Sequence, residues 1–383
     1  MKINKLQLVN FRNYDHCAVA FDKMVTVFYG KNGQGKTNIL EGIFYSAFGL
    51  SHRTAKEDEL LKFSSEGMAV LLDFTKEDGN HSIRMKRYFD QGKYHKEIKI
   101  DGKRITAKDH YGYLNAVMFS PEDLQIIKGD PGLRRRFMDM EISQTDPLYY
   151  ELLVRYRRLL KQRNSLLKVI RENNQSQAQL NPWDEEIADT CTQILIKRLF
   201  NVKKLKEICI PVFHILSNHV DGMEIKYEMK GNNGELFYPE EENVKDIKEF
   251  YLKSLNDRRF KDIMQGNTGI GIHRDDILIK LDDLEMKKFS SQGQQRTAAL
   301  ALKLSELEII KMFVSSTPIL ILDDVFSELD KARRLSLVQA MKGAQIFITC
   351  TDKNMIGEEI DAIEGANKTE FYRVDGGNIA KEA

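Results

Sequence analysis

Apolar and polar residues alternate through Met1-Lys2-Ile3-Asn4-Lys5-Leu6-Gln7-Leu8, the period of a half-buried strand and not the unbroken apolar run of a signal peptide. Short β-branched and aromatic runs at 24–29, 68–74 and 83–89 continue that pattern up to about residue 120, and Asp101-Gly102 predicts a hairpin turn between 98–100 and 104–105. This part predicts a mixed sheet with one long helix after residue 37. The period then changes. Leu153, Tyr156, Leu160, Arg163, Leu167 and Ile170 recur at steps of three and four, the spacing of a helical seam, and a second periodic run passes through Ile187, Cys191, Ile194, Arg198, Val202 and Leu205. The polar 173–181 stretch and Pro182 separate them, so the two runs predict a short antiparallel helical hairpin, each arm roughly 22 residues or about 33 Å. A helix is expected over 244–255 and strands over 269–281. Helix 294–314, a buried strand at 318–322, helix 329–341 and strand 345–349 then alternate, as in a parallel sheet covered by helices.

The expected organisation is therefore α/β: segments 1–122 and 265–383 build one unit of mixed and parallel sheets with helices, and 123–264 forms a mainly helical second lobe carrying the short arm. The 383 residues suffice for a sizeable core. Lys plus Arg number 58 against 57 Asp plus Glu, so any attraction to nucleic acid must come from local patches and not from net charge. The 4 cysteines, Cys17, Cys191, Cys209 and Cys350, form no Cys-x-x-Cys pair, which argues against a structural zinc site or a disulfide scaffold. No apolar run is long enough to span a bilayer. A cytoplasmic protein with no membrane partner is expected.

Three motifs carry chemistry. Gly30-Lys31-Asn32-Gly33-Gln34-Gly35-Lys36-Thr37 lies between an apolar strand, 25–29, and a helix beginning Asn38-Ile39-Leu40, the context of a phosphate-binding P-loop. Gly30, Gly33 and Gly35 let the backbone curl so that its N–H groups, with Asn32, face phosphates; Lys36 reaches the β- and γ-phosphates and the Thr37 hydroxyl holds Mg²⁺. Ile319-Leu320-Ile321-Leu322-Asp323-Asp324 is an apolar strand ending in two acids, where Asp323 would hold Mg²⁺ and Asp324 would orient or deprotonate the attacking water. Ser290-Ser291-Gln292-Gly293-Gln294-Gln295-Arg296 opens a long helix, either as a plain N-cap or as an anion-binding terminus in which Ser291, Gly293 and Gln294 contact a γ-phosphate.

The order P-loop, Ser291 element, acidic strand and Asp330 in Ser327-Glu328-Leu329-Asp330 resembles the ABC/SMC branch of P-loop ATPases. That resemblance implies an ABC-type ATPase head and a site completed by a second subunit, hence a homodimer enclosing two ATP molecules. Further stretches resemble the RecF family: Asn10-Phe11-Arg12-Asn13-Tyr14, then Pro121-Glu122-Asp123 through Ile126 to Pro131, Arg134-Arg135-Arg136-Phe137-Met138-Asp139, and Ile272-His273-Arg274-Asp275-Asp276. The family resemblance implies an ATP-dependent DNA-binding protein of replication and recombinational repair that dimerises on ATP, prefers double-stranded or gapped DNA and hydrolyses ATP slowly. It also implies action with RecR, and indirectly with RecO and RecA, to help load RecA on gaps, and adds Arg12 to the nucleotide-binding set. Asp324 where transporters carry Glu, Thr351 where they carry a switch His, and Ser120 near the expected Q-loop glutamine fit slow turnover.

For DNA, the candidate cations are Arg134 and Arg135, Arg155 and Arg158 with Arg157, Lys161 and Arg163, and Lys203-Lys204-Lys206. Each run reads equally as a solvated helix face, and Arg134 to Arg136 as a brace inside the fold. Two other classes stay open: a structural clamp with ATP as a static ligand, and a transporter ATPase subunit.

Overall fold

The computed structural model describes residues 1–218, 222–232, 234–239, 246–327, 329–356 and 369–382; the expected helix start at 244–245 and Glu328 lie outside them. In chain order, strands β1 (Lys2–Phe11), β2 (Tyr14–Ala20) and β3 (Val25–Tyr29) lead to helix α1 (Lys36–Phe48), followed by β4 (Gly67–Lys76), β5 (Gly79–Asp90), β6 (Lys93–Ile100) and β7 (Lys103–Ile105). The one-turn α2 (Ala107–His110) and β8 (Ala116–Phe119) precede α3 (Leu124–Lys128), α4 (Pro131–Thr145), α5 (Pro147–Asn173) and α6 (Asn181–Leu216). Then come β9 (Met223–Lys230), β10 (Leu236–Phe237), α7 (Ile247–Gln265), β11 (Asp276–Leu281), β12 (Leu284–Glu285), α8 (Met286–Phe289) and α9 (Gln292–Phe313). The last elements are β13 (Ile319–Asp323), α10 (Lys331–Ala340), β14 (Ile346–Cys350), β15 (Thr369–Asp375) and β16 (Asn378–Lys381).

These group into two units, Met1–Asp123 with Glu306–Ala383, and Leu124–Ser305. The chain re-enters the first unit inside α9, at Glu306, and not at the expected 265, because β11 pairs with β9 of the second unit instead of joining a sheet of the first.

In the first unit the N-terminal strands divide between two sheets where one mixed sheet was expected. An antiparallel sheet runs β2-β1-β4-β5-β6-β7, and a second runs β16-β15-β3-β14-β13-β8, parallel except for the β15–β16 hairpin. The two differ in pattern for a physical reason. Strand β4 buries alternate residues, Met68, Val70, Leu72 and Phe74, since only one face meets the core. Strand β13 is buried along its whole length, as befits a parallel strand covered on both faces. Helix α1 packs on β1 and β4 on one side and on β8, β13 and β14 on the other, which explains why it is apolar almost all round. It stops at Gly49, left-handed at φ 68, whose N–H closes on the Tyr45 carbonyl at 2.8 Å.

The second unit joins α4, α5, α6 and α7 to a small antiparallel sheet, β10-β9-β11-β12. Every seam residue expected on α5 except half-buried Leu160 is buried, and so are all six on α6. Helix α7 packs on both arms, so the seam is shared among three helices. The arms are longer than expected, 27 and 36 residues, because Pro182 sits in the first turn of α6, where its missing N–H costs nothing, and α6 continues to Leu216.

Candidate functional site

Strand β3 delivers the chain into a loop whose glycines all have left-handed φ: Gly30 at 147°, Gly33 at 80° and Gly35 at 109°. Two of them also have no room for a side chain. A Cβ at Gly30 would lie 2.4 Å from the Val374 carbonyl oxygen, and one at Gly35 would lie 2.6 Å from Asn13 Nδ2. Helix α1 begins directly after Gly35 with no side-chain cap, which leaves its first N–H groups for an anion.

The loop is braced from both sides. Tyr14 Oη donates to the Gly35 carbonyl at 3.1 Å, and Asn38 Nδ2 donates to Asn13 Oδ1 at 2.8 Å. Opposite them, the β15–β16 turn donates Gly376 N–H to Gln34 Oε1 at 2.6 Å and Gly377 N–H to the Gln34 carbonyl at 3.2 Å. The role of Asn13 and Tyr14 is thus to hold the loop. Arg12, expected at the nucleotide, instead forms a bidentate pair with fully buried Glu41 of α1, both bonds 2.7 Å, and donates a third bond to the Glu59 carbonyl at 2.7 Å. Its φ of 55° turns it onto that acid, which the motif reading had passed over.

Lys36 Nζ donates to the carbonyls of Gly30 at 2.6 Å and Lys31 at 2.9 Å, so the ammonium is held over the loop by main-chain oxygens alone. Burial pushes its pKa down, opposed by the nearby charges of Asp324, Cys350 and Asp323. Thr37 Oγ1 donates to Asp323 Oδ1 at 2.9 Å, and Thr349 Oγ1 donates to the same oxygen at 2.6 Å. Burial raises the Asp323 pKa against those two bonds, and Glu122 adds to the rise. Asp324 follows in the left-handed region at φ 52, its N–H donated to Thr349 Oγ1 at 3.0 Å. Backbone strain of that kind at a non-glycine position is concentrated at functional sites. The parallel register places Asp323 opposite Thr349, and this threonine, unmarked in sequence, locks both acids.

These groups fit a nucleoside triphosphate with a divalent cation: a curled N–H-rich loop, one ammonium not paired to a carboxylate, and a hydroxyl–carboxylate pair whose remaining lone pairs suit a hard cation. Among the described residues no cluster of three or more His, Cys, Asp or Glu is placed to hold a metal by itself. A magnesium ion at Thr37 and Asp323 would draw its other oxygens from phosphate and water.

In the second unit, Ser291 and Gln294 form a reciprocal capping box at the start of α9: Ser291 N–H donates to Gln294 Oε1 at 2.8 Å and Gln294 N–H to Ser291 Oγ at 3.3 Å. Ser291 and Gly293 are exposed, so this helix start is open to an incoming group. Asp330 similarly caps α10 in the first unit, accepting from Arg333 N–H at 3.0 Å.

Several expected DNA cations are otherwise engaged. Arg134 is buried and bidentate to Asp276 at 2.7 and 2.8 Å, and Arg135 donates to the Asp275 carbonyl at 2.6 Å. Arg163 is fully buried between Asp184 at 2.7 Å and Asp262 at 2.9 Å. Arg155 pairs with Glu186 on the surface. Arg157, Arg158 and Lys161 are exposed, with no carboxylate at ion-pair distance among the described residues. The Ile272 to Asp276 element is structural on the same terms: His273 bonds Tyr156, Asp275 accepts from Tyr227 at 2.7 Å, and Arg198 reaches the Ile272 carbonyl at 2.9 Å.

The family described as RecF/RecN/SMC N terminal domain matches residues 2–371. Over 355 residues the chain is 41% identical to a DNA replication and repair protein RecF of Acetivibrio thermocellus, covering 93% of this chain and 94% of that protein. A protein of the same name from Natranaerobius thermophilus is 36% identical over 383 residues, covering 100% and 98%. A solved structure of the recombination mediator protein RecF with ATP, in the RecFOR pathway, superposes with a TM-score of 0.87 at 33% identity, covering 100% of this chain and 98% of that one. The Smc head domain of Pyrococcus furiosus, at 17% identity and a TM-score of 0.52, shares the ABC ATPase head fold over 100% of this chain and 96% of that one. Among the described residues, no helix is long and apolar enough to cross a membrane.

Proposed function

The chain belongs to the RecF family, and from that premise we propose that it is a replication and repair protein that binds ATP and Mg²⁺ in the first unit and uses their occupancy as an assembly switch on DNA. The observation that carries this reading is the chain Thr37–Asp323–Thr349 beside the Gly30–Lys36 loop. Lys36 exchanges its carbonyl partners for phosphate oxygens, and the N–H groups of 33–37 cradle them. Asp324 holds the attacking water and takes its proton, and Thr37 and Asp323 would hold a cation whose charge would offset that of the phosphates. A shorter Asp at this position favours slow hydrolysis.

Ser291, Gly293 and Gln294 complete the site of a second copy. The exposure of Ser291 and Gly293 at an open helix start supports this, since a signature of this kind contacts a γ-phosphate held by another subunit. ATP is then the adhesive of a two-fold dimer that engages double-stranded or gapped DNA and acts with RecR and RecO to help load RecA. With a non-hydrolysable ATP analogue, molar mass by light scattering doubles for the wild type. Ser291→Arg stays folded, as its cap is worth only about 1 kcal/mol, and stays monomeric, yet still binds the analogue, because the P-loop of its own chain is untouched. A dimer of unchanged mass without nucleotide would refute the switch.

A further inference from the structure

The antiparallel sheet of the first unit has a face whose positive charge its own fold neutralises only in part. Residues 84–104 carry eight Lys or Arg against three Asp or Glu in a chain whose net charge is +1. On β5 and β6, Ile83, Met85, Ile98 and Ile100 turn inward and are buried, so by the two-residue period Arg84, Lys86 and Tyr88 turn outward with Lys99, Glu97 and His95 opposite them. Register places Arg84 against Lys99 and Lys99 against Arg104, a row of three cations across β5, β6 and β7. Like charges directly opposite one another destabilise a sheet. One anion relieves this row, Glu97, which pairs with Lys99 at 3.1 Å. Arg84, Lys86 and Arg104 are exposed, with no carboxylate at ion-pair distance among the described residues. By contrast Arg87 and Lys96, on the inward side, are paired with Glu57 at 3.0 and 2.7 Å.

The same hairpin ends in aromatics. Tyr88, 41% exposed, stacks on His95 with ring centroids 5.6 Å apart and an interplanar angle of 23°. One residue further, Phe89 at 47% and Tyr94 at 41% exposure face each other at 5.1 Å. The β4 ladder begins at Gly67 opposite Tyr88, so Phe89 to Tyr94 project past it around the left-handed turn Gln91-Gly92.

We propose that the outward face of β5, β6 and β7 is a track for a nucleic-acid backbone and that the aromatics at the hairpin tip, Tyr88 on that face and Phe89 and Tyr94 on the other side of the hairpin, stack on unpaired bases, so that the surface reads the junction between duplex and single strand. The inference rests on the DNA-binding reading above and supplies its surface. Cations at about 7 Å row spacing along the strands suit successive phosphates, and a polyanion removes the repulsion of the cross-strand row. Base faces are accessible only where pairing ends, and stacking one base on one ring is worth roughly five- to hundredfold in affinity.

The test compares anisotropy titrations of a blunt duplex and a gapped duplex of equal length, with a non-hydrolysable ATP analogue present throughout and 2-aminopurine as the first unpaired base. The wild type prefers the gapped form and quenches the probe. The triple substitution Tyr88→Ala, Phe89→Ala and Tyr94→Ala abolishes the quenching and loses about tenfold in gapped-duplex affinity, with blunt-duplex affinity within about twofold. Arg84→Ala with Lys86→Ala and Arg104→Ala weakens both substrates and flattens the salt slope of log affinity by about 2 to 3. Retention of the junction preference and quenching in the tip variant, which would assign the tip to a protein partner, overturns the proposal, as does an unchanged salt slope in the track variant. A wild type that binds neither substrate defeats the DNA-binding reading itself.

Discussion

Lys36 in the first unit and Arg163 in the second are both motif cations with two acids nearby, yet they are held by different means. The Lys36 ammonium rests on two main-chain carbonyls, and Asp323 and Asp324 act on it only through space. Arg163 is fully buried, ion-paired to Asp184 and Asp262 and bonded to Thr268 Oγ1 at 2.8 Å. Neutral carbonyls are weak competitors for an ammonium, so a phosphate can displace them. Two carboxylates in a dry interior leave no comparable opening. The first arrangement is one for binding, the second for shape, although the sequence presents both as a basic residue in a patterned stretch.

The sharpest way to break this comparison is to remove both cations. Arg163→Ala removes the buried cation shared by Asp184 and Asp262, leaving the first to Arg259 alone and the second to a longer contact with Arg258 at 3.4 Å, and a loss of about 3 kcal/mol is expected. Lys36→Ala costs under about 1 kcal/mol of stability but removes ATP binding by at least about 100-fold. Trp183, the lone tryptophan, lies on α6 next to Asp184, so its fluorescence in a urea titration reports the second unit directly. A Trp183 transition unmoved by Arg163→Ala would show that the network does not hold the helices.

The next effect concerns the acids. Asp324→Asn removes the proposed proton acceptor while keeping size and the main-chain bond to Thr349. Hydrolysis is expected to fall by about 100-fold, with ATP-bound dimers accumulating, at a stability change under about 1 kcal/mol. Unaltered dimer lifetime would favour ATP as a static ligand of a structural clamp. Arg259 donates to Asp184 at 2.9 and 2.7 Å, whereas among the described residues no cation lies at ion-pair distance from Asp324, on which Lys36 acts only through space.

The same contrast explains what the sequence disclosed. The P-loop was legible because strand, glycines, Lys36-Thr37 and helix are contiguous, so local pattern suffices. Asp323 and Asp324 were legible because a fully buried strand precedes them. Arg134 and Arg163 were misleading because their partners lie far along the chain: Asp276 is 142 residues from Arg134, and Asp262 is 99 from Arg163. Thr349 was invisible for the same reason, its partner Asp323 being fixed by the pairing of β13 with β14. Strand β9 carries a clear local signal, since Met223, Ile225, Tyr227 and Met229 alternate with charged residues, whereas β15 and β16 show no such period and are created by long-range pairing. The helical seam was read correctly as apolar spacing, yet Arg163 and Arg198 sit on it as buried ions whose neutrality depends on tertiary partners.

The smallest effect tests whether the two units answer acid differently. In the first unit His110 is buried with Nε2 at 2.7 Å from the Ser46 carbonyl, and burial pushes its pKa down from 6.5 to about 4. The unfolded chain therefore takes up a proton first: stability is full above about 6.5 and is lost as pH falls toward 4, by about 2 kcal/mol at pH 5. In the second unit burial lowers His273 to about 4 in the same way, but burial also raises Asp275 to about 6. Asp275 acts with opposite sign, because the folded state binds its proton more tightly, so its contribution grows as pH falls through 6. The two offset each other within one five-residue element. Between pH 7.5 and 5, then, the Trp183 transition should shift less than the far-ultraviolet circular dichroism transition, which reports both units. His110→Gln, which keeps a donor for Ser46, should recover about 2 kcal/mol of the dichroism shift and leave the tryptophan curve unchanged. Equal acid shifts by both probes in the variant and the wild type would mean that His110 is not what makes the first unit the more acid-sensitive of the two.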